Sequence, residues 1–184
     1  MDGATIYDIC DRVPILKTGF HGIVQFQKIC TKKIKRNWMK SDFVIINAHN
    51  AHWLCLMWID SKSAVLFDTL SGEITCEKNE MRDIMFRCFV GMKNLEFLYG
   101  KNRIQDAENL TCGEHVIYFL MFQSIFILNN DRFDLHYVSE IVEYSKKCNL
   151  TPDEFIWREI YDKLKLAKPP VLMNVLNWYE YRLT

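Results

Sequence analysis

The sequence has no surplus of charge of either sign, since 23 lysine and arginine residues balance 23 aspartate and glutamate residues. This balance gives no global electrostatic drive towards nucleic acid, although charge can still be uneven locally. The sequence also lacks internal repeats, low-complexity segments and an obvious linker, so its 184 residues predict a single domain over 1–184. Because 49% of the residues are hydrophobic, such a chain can bury a sizeable core without cross-links.

Signals for export and for membrane insertion are lacking as well. The opening residues, MDGATIYDICDR, carry acids where a secretory signal has a basic region, and no run of 18 apolar residues follows. The seven cysteines are scattered, and the histidine pair in HNAH has no second pair at metal-ligand spacing. We therefore expect free thiols in a reducing compartment, no secretion, no membrane partner and no metal site.

What the sequence does contain is a succession of strand-like and helix-like segments, typical of an α+β fold. HWLCLMWID at 52–60 is apolar almost throughout and predicts a central strand, and SAVLFDT at 63–69 predicts its hairpin partner. The other predicted strands are 42–48 and 95–100, and the predicted helices are 5–12, 79–91, 112–129, 134–147 and 152–166. We expect a small, mainly antiparallel central sheet packed between helices, with a helical C-terminal part over 130–184.

One cysteine differs from the rest by its position. Thr111, followed three residues later by Glu114, matches a capping box, which places Cys112 at the first position of a long apolar helix. The unpaired N–H groups and the dipole at a helix N-terminus stabilise a thiolate. Gly113 leaves room for a substrate carbonyl. The alternative is that Cys112 is an ordinary buried cysteine that happens to start a core helix. The other six cysteines are interpreted as ordinary thiols.

A thiol nucleophile needs a base, and the base needs an orienting group. His52 opens the predicted central strand, and Asp68 lies at the far end of its hairpin partner, so a short turn would bring the two together. The backbone N–H of Cys112 and the side chain of Gln105 can supply two oxyanion donors. Each of these residues also has a plain structural alternative, as a strand-end histidine, a turn aspartate or a loop glutamine.

The ordered set AHWLCLMWID, LFDTLSG, Gln105 and TCG resembles the adenain family of adenovirus maturation proteases, in the clan that includes the SUMO-specific proteases. The segment GFHGIVQ is also similar to one near the start of adenain, so the resemblance covers about 18–125. It implies a Cys-His-Asp cysteine protease. Cys112 is then the nucleophile and His52 relays the proton. Asp68 orients His52, and Gln105 stabilises the oxyanion.

The resemblance implies further properties. Relatives cut after Gly-Gly pairs in viral capsid and core precursors, which implies a narrow substrate groove beside Trp53 and Gly113. They act in the virion and in the nucleus or cytoplasm of the host, and viral DNA and a short viral peptide activate them without being required for the chemistry. The basic run KICTKKIKRNWMK is the candidate DNA contact, through Lys32, Lys33, Lys35 and Arg36. The stretch GMKNLEFLYGKNRI lacks the cysteine through which adenain bonds its peptide, which argues against a disulfide-linked activator.

Other functions remain open at this level. A deubiquitinase-like or SUMO-protease-like isopeptidase, acting on host ubiquitin-like modifiers, would use the same four residues. A catalytically silent binding module would keep the fold, but it would be expected to lack one of them. A papain-type protease is disfavoured, since there the cysteine precedes the histidine. For the basic run, the alternative is a solvated surface segment.

Overall fold

The computed structural model of the chain describes residues 1–29, 33–48, 52–70, 78–98, 104–105, 111–130, 132–134 and 136–165. Five strands form one sheet, and they are β1 (Phe20–Gln25), β2 (Phe43–Ala48), β3 (His52–Trp58), β4 (Ser63–Phe67) and β5 (Asn94–Leu98). The helices are α1 (Gly3–Arg12), α2 (Pro14–Lys17), α3 (Phe26–Ile29), α4 (Lys78–Cys88), α5 (Cys112–Asn130), α6 (Tyr137–Lys147) and α7 (Pro152–Lys165). The predicted α+β class is confirmed.

The sheet follows chain order, β1-β2-β3-β4-β5, with β3 at its centre. The pairs β2–β3 and β3–β4 are antiparallel, whereas β1–β2 and β4–β5 are parallel. The sheet is therefore mixed, and the antiparallel expectation holds for its three central strands. Parallel neighbours need crossover connections, and the helices α3 and α4 lie in those two connections.

The apolar run that predicted a central strand is buried on both faces of the sheet. Along β3, Cys55 and Met57 belong to one apolar cluster with α5, while Leu54 and Leu56 belong to a second cluster with α4. This alternation is the period-two pattern of a strand between two layers. The helices therefore cover both faces, and the two ends of β3 are where a side chain can leave the core.

Helix α5 is the core helix of the first layer. It is long and apolar enough to cross a membrane by length and composition alone, but 83% of its apolar window is buried inside the protein. The Phe119 ring on this helix stacks on Phe67 of β4, with ring centroids 4.2 Å apart. Both rings are fully buried, so this packing fixes the helix against the sheet and places its first residue, Cys112, near the start of β3.

The C-terminal part is helical, as predicted, over the residues that are described. Phe155 and Ile156 of α7 are buried in the same cluster as α5, so α7 covers the outer side of that helix. Residues 166–184 lie outside the described part of the chain. The sequence patterns did not predict β1 or the short helices α2 and α3.

Candidate active site

Cys112 is the first residue of α5, as the sequence predicted. The carbonyl of Thr111 accepts the hydrogen bond from the His115 N–H at 3.0 Å, which makes Thr111 the N-cap residue immediately before the helix. The thiol therefore lies beside the N–H groups of the first turn, which have no helical partners. Cys112 is also buried, with 4% of its surface exposed.

His52 opens β3 and contacts Asp68, which follows the last residue of β4. The His52 Nε2 atom lies 2.8 Å from Asp68 Oδ1, and both side chains are buried. The same carboxylate oxygen accepts a bond from the Leu70 N–H at 2.9 Å, which fixes its orientation. The predicted pairing of these strand ends is therefore present in the structure, although the ladder between the two strands stops at Cys55 and Phe67.

The imidazole of His52 lies between an acid and the thiol. Burial disfavours the charged ring, but hydrogen bonds to Asp68 and Cys112, and the charges of both, raise the pKa of His52 from 6.5 to about 9. Since Nε2 is engaged with Asp68, the nitrogen that faces Cys112 is Nδ1. Such an arrangement can transfer a proton between a sulfur atom and a substrate.

Gln105 is also buried, close to the end of β4. The hydroxyl of Thr69, the residue after Asp68, donates to Gln105 Oε1, and both side chains are buried. Gln105 is thus connected through Thr69 to the residue that orients His52. The sequence indicated Gln105 but did not indicate Thr69, because a threonine in a turn carries no signal of its own.

The other described cysteines have different surroundings. Burial raises the pKa of Cys10 to about 12, and burial with the neighbouring Cys10 raises that of Cys55 well above its ordinary value. Cys88 is buried and donates to the Ile29 carbonyl, whereas Cys148 is exposed. Among the cysteines that the structure describes, only Cys112 contacts a histidine that is itself paired with a carboxylate.

The two residues expected to bind substrate both contact the first residue of the chain. The Trp53 Nε1 atom donates to the Met1 carbonyl at 3.1 Å. A Cβ placed on Gly113 would come within 2.9 Å of the Met1 Cβ, so the space that this glycine leaves is occupied by Met1. The Met1 ammonium lies 3.4 Å from the Glu114 carboxylate. The surface beside Cys112 is therefore covered on this side.

A second polar network lies under the first turn of α5. Asp153 of α7 accepts hydrogen bonds from the Thr111 hydroxyl and from His115 Nε2, the latter at 2.9 Å. Both side chains of the predicted capping box, Thr111 and Glu114, thus make contacts that the sequence did not indicate. The network connects the start of α5 to α7, for which the sequence had indicated no role.

The described residues of the basic run pack on the other side of the sheet, with α4. Ile34 forms a bridge with Phe89, just after α4, and Trp38 stacks on Trp58 with ring centroids 3.8 Å apart. Three of the four candidate DNA-binding residues, Lys33, Lys35 and Arg36, are exposed. The fourth, Lys32, lies outside the described residues. The structure therefore does not bring the described residues of this run into the site around Cys112.

No group of three or more histidine, cysteine, aspartate or glutamate residues is arranged to bind a metal ion in the part of the chain that is described. The arrangement around Cys112 is that of a thiol, an imidazole and a carboxylate in series.

Comparison with known proteins adds little to this geometry. The sequence matches no known family and no curated protein. Among solved structures, the chain is similar to the central domain of the uncharacterized Lpg1148 protein from Legionella pneumophila, with 10% sequence identity and a TM-score of 0.39. The similarity covers 77% of this chain and 87% of that one. A similarity at this level carries no argument about function, so the site stands on its own residues.

Proposed function

We propose that the protein is a cysteine endopeptidase in which Cys112 is the nucleophile, His52 the general acid and base, and Asp68 the group that orients His52. The observation that carries the proposal is the buried series of contacts from Asp68 Oδ1, 2.8 Å to His52 Nε2, and from His52 to Cys112. A base within hydrogen-bond reach of the nucleophile, itself oriented by a third group, is the recurring arrangement of covalent hydrolases.

The chemistry follows from these contacts. The Cys112 thiol passes its proton to His52 Nδ1, its sulfur forms a bond to the carbonyl carbon of the scissile bond, and the carbonyl π electrons move onto oxygen. When the C–N bond breaks, the His52 imidazolium gives its Nδ1 proton to the leaving amine. Water then attacks the thioester while His52 accepts a proton from it, and the thiolate leaves. A pKa of about 9 keeps the imidazolium protonated at neutral pH, so the proton for the leaving amine is present.

The oxyanion formed in both steps needs donors. The N–H of Cys112 at the start of α5 supplies one, and the amide of Gln105 supplies the second. Gln105 is buried, and buried polar side chains are positioned by their hydrogen bonds rather than by solvent. A donor that is already in place when the charge develops contributes more than one that must reorganise.

The substrates in this proposal are protein chains cut at Gly-Gly-type sites. A Cβ on Gly113 would lie 3.4 Å from the Trp53 indole, and this proximity supports a narrow site that admits glycine more readily than larger residues once Met1 leaves it. The resemblance to adenain-like proteases is what extends the proposal to viral capsid and core precursors and to virion maturation. It is also the basis for proposing DNA or a viral peptide as an activator.

The test is covalent labelling with a Gly-Gly vinyl sulfone, followed by mass spectrometry of the cysteine peptides. Exposed Cys148 provides an internal control, because accessibility alone would favour it over buried Cys112. We expect the label on Cys112, its loss in His52→Ala, and no loss in Cys148→Ser. A label that follows exposure, or that persists in His52→Ala, would contradict the proposal.

Turnover then separates the candidate substrates. We expect Cys112→Ala and His52→Ala each to abolish cleavage of a Gly-Gly peptide, with the double variant no worse than either single one, because the two residues act as a unit. Cleavage of a SUMO or ubiquitin C-terminal reporter in preference to that peptide would assign the enzyme to the isopeptidases instead.

A further inference from the structure

The turn that follows β4 makes two different connections to the site. In this turn, Asp68 Oδ1 accepts from His52 Nε2 at 2.8 Å and from the Leu70 N–H at 2.9 Å. The next residue, Thr69, donates its hydroxyl proton to Gln105 Oε1. Two adjacent side chains therefore contact the proposed base and the proposed oxyanion donor.

The contact of Thr69 with Gln105 determines how the amide is oriented. Thr69 is 1% exposed and Gln105 is 3% exposed, so solvent does not compete for this bond. The Oε1 and Nε2 atoms belong to one planar group, and an Oε1 that accepts from Thr69 directs the Nε2 hydrogens away from Thr69. The alternative orientation would place a donor against a donor unless the Thr69 hydroxyl turned to accept. With the Thr69 hydroxyl as the donor, Nε2 is the end of the amide that can donate elsewhere.

We propose that Thr69 is a positioning residue that orients the Gln105 amide so that its Nε2–H group donates to the oxyanion. This inference rests on the proposed function, since an oxyanion donor has meaning only in acyl transfer. It adds Thr69 to the proposed site and gives a reason why Thr69 lies next to Asp68. Because Asp68 and Thr69 are consecutive, the backbone of one turn sets the base and the oxyanion donor relative to each other, and catalysis is sensitive to such relative placement.

A purely structural role for Thr69 would give a different experimental result. A buried hydroxyl needs a partner in any case, and Gln105 could serve only to satisfy it. In that case, removal of the hydroxyl would lower stability and would affect every property of the site alike. A positioning role predicts a selective loss in the step that forms the oxyanion.

The test compares Thr69→Val, which removes the hydroxyl at nearly constant volume, with Thr69→Ser, which keeps it. Two rates are measured on each purified full-length variant. Turnover of a Gly-Gly peptide passes through an oxyanion. Alkylation of Cys112 by iodoacetamide does not, because the C–S bond forms as the C–I bond breaks at a saturated carbon. The Cys112 alkylation rate therefore reports the thiol and His52 without the oxyanion donor.

We expect Thr69→Val to lower kcat at least about tenfold, and by less than the ~10²-fold expected for loss of the donor itself. KM and the alkylation rate of Cys112 should stay within about twofold of wild type, and Thr69→Ser should restore kcat to within about threefold. In a Gln105→Ala background, Thr69→Val should cause no further loss, because the two side chains act through one donor.

Unchanged turnover in Thr69→Val would overturn the inference, and so would a parallel loss of turnover and alkylation. If wild type alkylates at Cys112 but cleaves no peptide, the proposed function fails and this inference fails with it. If wild type cleaves and the valine variant cleaves equally well, only the inference fails. The two failures are thereby distinguishable.

Discussion

Replacement of Asp68 by asparagine removes one charge from the site and leaves its shape and an acceptor oxygen in place. In the wild type, Asp68 contacts His52 at 2.8 Å and contributes to the rise in the pKa of His52 from 6.5 to about 9. Burial acts in the opposite direction and disfavours the imidazolium. Without the carboxylate, we therefore expect the pKa of His52 to fall well below 9.

The size of the effect on stability follows from linkage. A pKa raised from 6.5 to about 9 corresponds to about 3 kcal/mol of folding free energy, at ~1.4 kcal/mol per pH unit. Because the folded-state pKa is the higher one, this contribution is fully present below pH 6.5 and is lost as the pH rises through about 9. Because Asp68 and Cys112 both raise this pKa, Asp68→Asn should remove part of this stabilisation near pH 6 and much less at pH 10.

The measurement is urea-induced unfolding of both proteins at pH 6 and at pH 10. Asp60→Asn is the matched control, since Asp60 is exposed in the hairpin turn at the other end of β3, and a backbone hydrogen bond from Lys62 holds its pKa below the usual range. Asp60→Asn should change the free energy of unfolding by the same amount at pH 6 and at pH 10. If Asp68→Asn destabilises the protein equally at both, the charged His52–Asp68 pair is absent and the reasoning is refuted.

Three further predictions concern the oxyanion donor, the covering of the site and the basic run. Gln105→Ala should lower kcat by roughly 10²-fold with little change in KM; an unchanged kcat would leave Gln105 as a structural residue. Deletion of residues 1–3 should raise the rate at which a peptide vinyl sulfone labels Cys112. Asp2→Ala, which removes only the N-cap of α1, should not raise it. Equal labelling rates in the deletion variant and the wild type would mean that Met1 does not block access to Cys112. Duplex DNA, measured by fluorescence anisotropy, should bind with a log–log salt slope of about −0.9 per phosphate neutralised. That binding should disappear in a variant with four alanines at Lys32, Lys33, Lys35 and Arg36. A control with the same loss of charge has alanines at Arg12, Lys17, Lys146 and Lys147, and equal binding by both variants would exclude the basic run as the contact.

Much of the site could be predicted because its signals are local. A capping residue before a long apolar run indicates a helix start, and that start is at Cys112. A histidine at the head of an apolar strand and an acid after the next strand indicate a hairpin contact, and His52 and Asp68 make it. Hairpin neighbours are close in sequence, so few alternative arrangements exist for them.

Contacts between segments that are far apart in the sequence could not be predicted from local patterns. Thr69 reaches Gln105 across 36 positions, and Met1 reaches Glu114 across 113. Neither pair has a spacing or a periodicity that a sequence pattern could reveal. The parallel pairing of β5 with β4 was missed for the same reason, because a crossover connection allows several positions for the returning strand.

The sequence by itself determined the α+β class, the central strand at β3, the helix that begins at Cys112, and the identity of the thiol, imidazole, carboxylate and amide of the candidate site. All of these except the amide follow from hydrophobic periodicity, capping and hairpin connectivity, which act over a few residues. The choice of Gln105 rests on the resemblance to adenain-like proteases. The tertiary structure alone decided which polar groups orient them. It placed Thr69 on Gln105, Asp153 under the start of α5, and Met1 over Gly113. The physical reason is that a buried polar atom takes whichever partner the packing of the core brings within reach.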